Sequence, residues 1–174
     1  MERQNNLLQK VVAEALGTFT ILFAGLGSIM VADRYPQSIP AIWIPVIFGV
    51  AVSAMVYTLG HISGSHFNPA VTLGFAVAKH FPKRNIIPYW VGQFAGAFLA
   101  MMLLLFLLPP GTNFGTTTPV AGLETSKALV WEIILTFILM FVIMALATDS
   151  RAQGSFGGLI VGSTVSLCAY FGGP

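Results

Sequence analysis

The sequence predicts an all-α integral membrane protein with about five spanning helices, an internal inverted repeat and one re-entrant half-helix. Composition is the first ground. Hydrophobic residues make up 56% of the 174-residue chain and charged residues 8%, with a mean hydropathy of +0.83, so lipid is the solvent the chain is built for. Recurring apolar runs of membrane-spanning length are the second. The third is a polar, glycine-containing stretch lodged between two of those runs, His61-Ile62-Ser63-Gly64-Ser65-His66-Phe67-Asn68-Pro69-Ala70-Val71-Thr72-Leu73-Gly74.

The runs fall at roughly 11–31, 41–60, 86–108, 127–148 and 156–171, against the ~20 residues that cross a bilayer as a helix. The first is too long for the apolar core of a signal peptide and lacks the small-residue cleavage site, so it reads as a retained spanning helix. The last is short and rich in glycine, from Phe156-Gly157-Gly158 to Gly172-Gly173, and in a packed membrane protein such glycines permit close helix approach. The longest polar loop runs from Pro109-Pro110-Gly111 to about Ser126 and reads as an exposed connection. The single Cys168 excludes an intramolecular disulfide framework and a cysteine-based zinc site, and is read as a small apolar filler.

Charge supplies orientation. The 8 Lys and Arg against 6 Asp and Glu leave a net charge of +2 without a basic stripe, so nucleic acid is not an expected partner. Short loops rich in Lys and Arg stay on the cytoplasmic side. With the N-terminus inside, Arg3, Lys10, Lys79, Lys83, Arg84 and Arg151 are cytoplasmic, and Arg34 and Lys127 lie outside. The expectation is a multi-pass protein of a plasma membrane, taken as a bacterial inner membrane, with Pro174 at the outer face.

The repeat is visible in two alignments. Val12-Ala13-Glu14-Ala15-Leu16-Gly17-Thr18-Phe19 lines up with Val130-Trp131-Glu132-Ile133-Ile134-Leu135-Thr136-Phe137, sharing Glu, Thr and Phe. Gly49, Val52, Ser53, Tyr57 and Gly60 match Gly162, Val165, Ser166, Tyr170 and Gly173 at a constant offset of 113. Three spans separate the two starts, so the halves enter from opposite faces of the membrane, an arrangement whose interface commonly builds a binding site or pathway.

A polar backbone sits at membrane depth only where it is buried in protein or lines a water-filled path. Asn68 is a preferred N-cap and Pro69 suits the first helical position, where its missing amide hydrogen costs nothing, so a short helix is expected to begin there. Entering from the cytoplasm, 64–67 would be extended and offer carbonyl oxygens. The half-helix would then run back with its N-terminus near the midplane, where a partial charge of roughly half an elementary charge opposes cations and spares neutral dipoles. The Asn68 amide can donate to a passing oxygen.

These residues resemble the major intrinsic protein family, the aquaporins and glycerol facilitators. The match rests on Asn68-Pro69-Ala70, its lead-in His61-Ile62-Ser63-Gly64, Ala13-Glu14 and Gly17-Thr18 in the first span, and Gln93 with Gly96-Ala97 in the third. It covers essentially the whole chain. It implies an aquaporin-like right-handed helical bundle that passes water, and other small neutral solutes such as glycerol, across the lipid bilayer. It also implies exclusion of protons and ions, no enzymatic activity, no cofactor or metal, and a homotetramer when complete. Family members have six spans and a second Asn-Pro-Ala motif followed by an arginine. The offset of 113 from Asn68 puts that second asparagine near position 181, about seven residues past the end. The chain therefore reads as one membrane domain, 1–174, incomplete at the C-terminal end with about five of six spans. Its first repeat is 11–108, with the half-helix at 68–78, and its incomplete second repeat is 127–174. A selective open pore from this chain alone is not expected.

Carried over residue by residue, Phe48 before Gly49 resembles the second-helix position of the outer constriction, and Ala169 the fifth-helix position. Water-selective members usually have histidine at the latter, so Ala169 implies a wider or less polar constriction, while Phe48 resembles the water type. Asn68, Pro69 and Ala70 carry the motif itself. His66 resembles a pore-lining histidine on its cytoplasmic side, and Gly64 and Ser65 would line the path with carbonyls. Two roles are open for Glu14 and Glu132: proton relay or ion binding, the default for intramembrane carboxylates, or acceptance of hydrogen bonds that brace the re-entrant loops, as the resemblance implies. His61 is placed beside the loop as a further brace, with a pore-facing position as the alternative.

Other classes fit less of the pattern. A proton-coupled secondary transporter would share the inverted repeat, the broken helix and the carboxylates, and would show substrate-dependent proton flux. A metalloenzyme would need His-Glu-x-x-His spacing, whereas His61 and His66 are five apart on a loop. A non-conducting fragment that assembles with a complete partner is the third alternative.

Overall fold

A computed structural model describes residues 5–112, 114–152 and 154–172. Among them are α1 (Leu7–Arg34), α2 (Ile44–Ser63), the short α3 (Pro69–Val77), α4 (Ile86–Leu107), α5 (Thr125–Thr148) and α6 (Gly157–Gly172). Each of the five apolar runs holds one long helix, and the polar motif holds the sixth. Those containing Leu7–Arg34, Ala41–Ser63, Lys83–Leu107 and Thr125–Thr148 are long and apolar enough to cross a membrane. α6 has 16 residues, about 24 Å at 1.5 Å per residue, and falls short of the ~30 Å hydrocarbon thickness.

Local chemistry sets the ends. α1 opens with a capping box: Gln9 N donates to Asn6 Oδ1 at 2.9 Å and Asn6 N donates to Gln9 Oε1 at 2.8 Å. Asn5 Nδ2 then donates to His61 O at 3.0 Å, tying the start of α1 to the end of α2. α2 stops at Gly64, whose φ of 89° is left-handed. α3 is capped as its sequence predicts, Ala70 N donating to Asn68 Oδ1 at 2.8 Å. It ends in a Schellman turn in which His80 N donates to Phe75 O and Lys79 N to Ala76 O, with Lys79 itself at φ 64°.

α1 packs against both α2 and α4, α6 bridges α2 and α5, and α3 rests on α4 and α5. The contacts are made through small residues, because lipid tails supply no hydrophobic drive between helices and close backbone approach must supply it instead. A Cβ on Gly92 would stand 2.6 Å from Val11 O, and one on Gly96 would overlap Ala15 O. Large apolar side chains such as Phe98, Phe106, Phe137 and Phe141 are exposed.

The seam between α2 and α6 carries the repeat as a reciprocal contact. Gly49 faces Ser166 Oγ and Gly162 O, while Gly162 faces Ser53 Oγ and Gly49 O. Tyr57 Oη donates to Ser155 O at 2.9 Å, and Tyr170 Oη donates to Ile42 O at 2.6 Å. The offset of 113 turns the first bond into the second, since it carries Tyr57 to Tyr170 and Ile42 to Ser155. Residue i meeting j′ while j meets i′ is the mark of a two-fold interface, here inside one chain. Gly49→Val or Gly162→Val should therefore overpack this seam and cost about 1–3 kcal/mol or more. Gly154→Ala, with nothing within 4 Å of the added methyl, is the control that should leave the melting temperature in detergent unchanged.

Candidate functional site

The segment joining α2 to α3 is held in a conformation its residues do not favour. Ser65 at φ 54° and Phe67 at φ 50° are both left-handed, a cost of roughly 1–3 kcal/mol each that surrounding structure must offset. Glu14 provides the offset. Its Oε1 accepts from Ser63 Oγ at 2.7 Å and His66 N at 3.0 Å, and its Oε2 from Phe67 N at 2.6 Å and Gln93 Nε2 at 2.8 Å. An ionised carboxylate has about four lone-pair sites, so this group, fully buried, is saturated.

Three carbonyls around the turn are met from other helices. Tyr89 Oη donates to Ser63 O at 2.7 Å, Thr18 Oγ1 to Phe67 O at 3.1 Å and Trp90 Nε1 to Pro69 O at 3.2 Å. Thr72, one turn into α3, donates its amide to Asn68 O and takes a hydrogen from Gln93 Nε2 at 2.9 Å. His66 Nδ1 lies 3.1 Å from Thr72 Oγ1, and its ring is wedged among Phe75, Phe81 and Tyr89 at centroid distances of 4.7, 4.7 and 5.2 Å. Gly17 allows the Phe67 ring to lie against α1, and Gly25 does the same for Phe48.

A cavity of about 410 Å³ opens beside this turn. Of the residues singled out from sequence, Phe48, Ser65, His66, Asn68 and Pro69 line it, with Thr18 and Gln93. Its other walls are apolar, among them Val52, Val56, Leu139 and Val161, and no Asp, Glu, Lys or Arg among the described residues lines it. A second cavity shares Phe48 and Asn68 and adds Ala169, Cys168 and the threonines Thr117 and Thr118 of the long loop. Gly64 and Ala70 line neither.

The two glutamates fare differently. Glu14 is enclosed, whereas Glu132 is exposed, borders the second cavity and has no hydrogen-bond partner among the described residues. His61 has an exposed side chain, and the bond from its turn to Glu14 comes from Ser63. Ser63, Thr72, Tyr89 and Trp90 escape sequence reasoning. The only local signal among them is Thr72, whose hydroxyl lies four residues past Asn68 and 3.1 Å from its carbonyl.

A half-helix entering a helical bundle from a saturated, braced turn defines a helical membrane fold with a re-entrant segment. A family model described as major intrinsic protein matches residues 1–174, and the chain belongs to that family. It is 44% identical over 168 residues to nodulin-26 from Glycine max, covering 96% of this chain and 61% of that protein. It is 45% identical over 170 residues to a probable aquaporin, NIP-type, from Nicotiana alata, covering 97% and 62%. The chain thus spans about three fifths of the length of these curated relatives. Among solved structures it resembles the aquaglyceroporin from Plasmodium falciparum with a TM-score of 0.85 at 25% identity, over 97% of this chain and 74% of that one.

Glu14→Ala would leave the amides of His66 and Phe67 and the Ser63 hydroxyl unmet in a buried site. It should cost at least about 3 kcal/mol. Glu132→Ala should leave stability nearly unchanged, and thermal unfolding of the two variants in the same detergent makes the comparison.

Proposed function

We propose that the protein forms a passive route for water and other small neutral solutes, of glycerol size or below, along the cavity beside Asn68. The observation that carries this reading is a nine-residue half-helix whose N-terminal end, at Asn68, borders a cavity that no charged side chain among the described residues lines. The helix end holds a partial positive charge of roughly half an elementary charge, and among the described residues the wall of this cavity carries no carboxylate, Glu14 lying behind the turn and Glu132 on the second cavity. A cation entering would shed water against apolar side chains and meet that charge. A neutral solute exchanges hydrogen bonds instead. Asn68 Oδ1 is engaged by Ala70 N, so its amide nitrogen is left as the donor.

The small side chain of Ala169 in the second cavity suits a constriction wider than one that takes water alone. Glu14 supports passive passage over proton coupling, because its four hydrogen bonds lie behind the turn and carry the turn's strain. We propose further that the N-terminus and 79–84 are cytoplasmic, on the surplus of Lys and Arg there, and that the assembled form is a homotetramer. The two curated relatives named above come from plants, so the bacterial membrane finds no support in them.

In a channel that carries both halves of the repeat in full, stopped-flow light scattering on proteoliposomes should show flux of water and glycerol with no pH gradient, and no proton leak. Uptake that needs a pH gradient would sink the proposal in favour of a coupled transporter. Asn68→Asp places a carboxylate at the helix end, where it can stabilise a cation by about 1–2 kcal/mol, so neutral flux should fall and a cation leak should appear. For orientation, a cysteine placed in 114–120 should react with an impermeant reagent only from outside the cell. Reaction from the cytoplasmic face alone would reverse the topology.

A further inference from the structure

The connection between α3 and α4 carries Lys79, Lys83 and Arg84 within six residues, all exposed and, among the described residues, without an ion-pair partner. Gly92 meets Val11 and Gly96 meets Ala15, so α1 and α4 run parallel, and this connection sits at the end of the bundle where both begin. The described acids leave it unopposed. Glu14 is enclosed, Asp149 is clasped by Arg151 at 2.7 Å, and Asp33, Glu124 and Glu132 lie toward the other end. The loop is also fixed in place. Its backbone is pinned by the Schellman turn after α3 and by Asn85 N donating to Pro82 O at 2.9 Å. Between those pins Phe81 turns inward, its ring meeting His66 edge-on at 4.7 Å and Tyr89 edge-on at 4.6 Å between centroids. Just past the cations, Ile87 and Val91, one turn apart on α4, are 62% and 61% exposed.

We propose that Lys79, Lys83 and Arg84 bind the headgroup of an anionic bilayer lipid, and that Phe81 carries its occupancy to the turn before Asn68. A phosphodiester offers Arg84 two oxygens in the plane of its guanidinium, and the two lysines add point charges. A lipid fits better than a soluble anion because the exposed Ile87 and Val91 continue from the cations along α4, where an acyl chain would lie. Surplus positive charge sets orientation in membrane proteins at large. Particular to this loop is its rigid link to the site. Tyr89 Oη bonds to Ser63 O and His66 N to Glu14, so a headgroup that holds Phe81 still restrains the residues that hold the turn. None of this depends on what passes along the cavity.

Native mass spectrometry of the detergent-purified protein, titrated with phosphatidylglycerol or with phosphatidylcholine of the same acyl chains, tests the binding. Phosphatidylglycerol should be retained at the lower concentration. Lys83→Gln/Arg84→Gln should weaken its retention roughly 25-fold, at about fivefold for each charge near a membrane surface, while the charge-matched Arg34→Gln/Lys127→Gln at the other end should leave it unchanged. Equal retention of the two lipids, or equal loss in both double variants, overturns the site. Displacement of the lipid by inorganic phosphate would make it a soluble-anion site and overturn the lipid assignment. Hydrogen exchange of the 65–67 amides tests the coupling. Phosphatidylglycerol should slow it in the unsubstituted protein and not in Phe81→Leu, whose lipid retention should be unchanged. Exchange that bound lipid does not slow, or slowing that persists in Phe81→Leu, overturns the coupling, and the first of these readings stands even if Phe81→Leu does not fold.

Discussion

The carboxylate of Glu14 is the constraint on which the rest of the site depends. It gathers donors from three places in the chain, Ser63 at the end of α2, the His66 and Phe67 amides of the turn, and Gln93 on α4. Without it the turn would hold two non-glycine residues at positive φ and at least two orphan amides, in a medium that offers no water in exchange. The bracing is also what aims α3. Once Phe67 is fixed against Gly17 and Thr18, Asn68 has one place to cap from, and the helix end is delivered to the cavity.

Lipid as solvent explains why the packing looks inverted beside that of a soluble protein. Small and polar residues such as Gly17, Thr18, Gly92, Gln93 and Gly96 are turned inward, and phenylalanines such as Phe98, Phe106 and Phe141 are turned out. The interior gains from backbone contact and satisfied hydrogen bonds, since removing apolar area from lipid gains little. The α2 and α6 seam follows the same logic, with Gly49 and Gly162 admitting each other's backbone and Ser53 and Ser166 closing the gap on either side. Because the seam is reciprocal, two copies of one small local pattern suffice to join the halves.

Much of this was legible in the chain. The five apolar runs hold the five long helices, and Asn68-Pro69 marks the start of α3 to the residue. The alignment at offset 113 proves to be a set of physical contacts, since Tyr57 and Tyr170 bond to carbonyls related by the same offset. The long loop reads as an exposed connection and Thr117 and Thr118 are exposed, while their place beside the second cavity is a position that its Gly, Pro and Thr content does not encode. The two glutamates look equivalent in sequence, and the structure encloses one and leaves the other exposed.

By itself the sequence determined the solvent, the number of helices, the capped half-helix and the family, because each depends on composition, on local backbone preference or on a motif read within a few residues. Tertiary structure decided which groups meet. The donors to Glu14 lie 49, 52, 53 and 79 residues away, and no local pattern specifies that Ser63 and not His61 supplies the side-chain donor from the end of α2. It also decided that Gln93 spends both amide hydrogens and keeps an unpaired oxygen, and that Gly64 and Ala70 stand off the cavities that Ser65, His66 and Asn68 line. A hydrogen bond needs its atoms within a few tenths of an ångström of the right distance, and in this fold only helix packing across the bundle sets distances that finely.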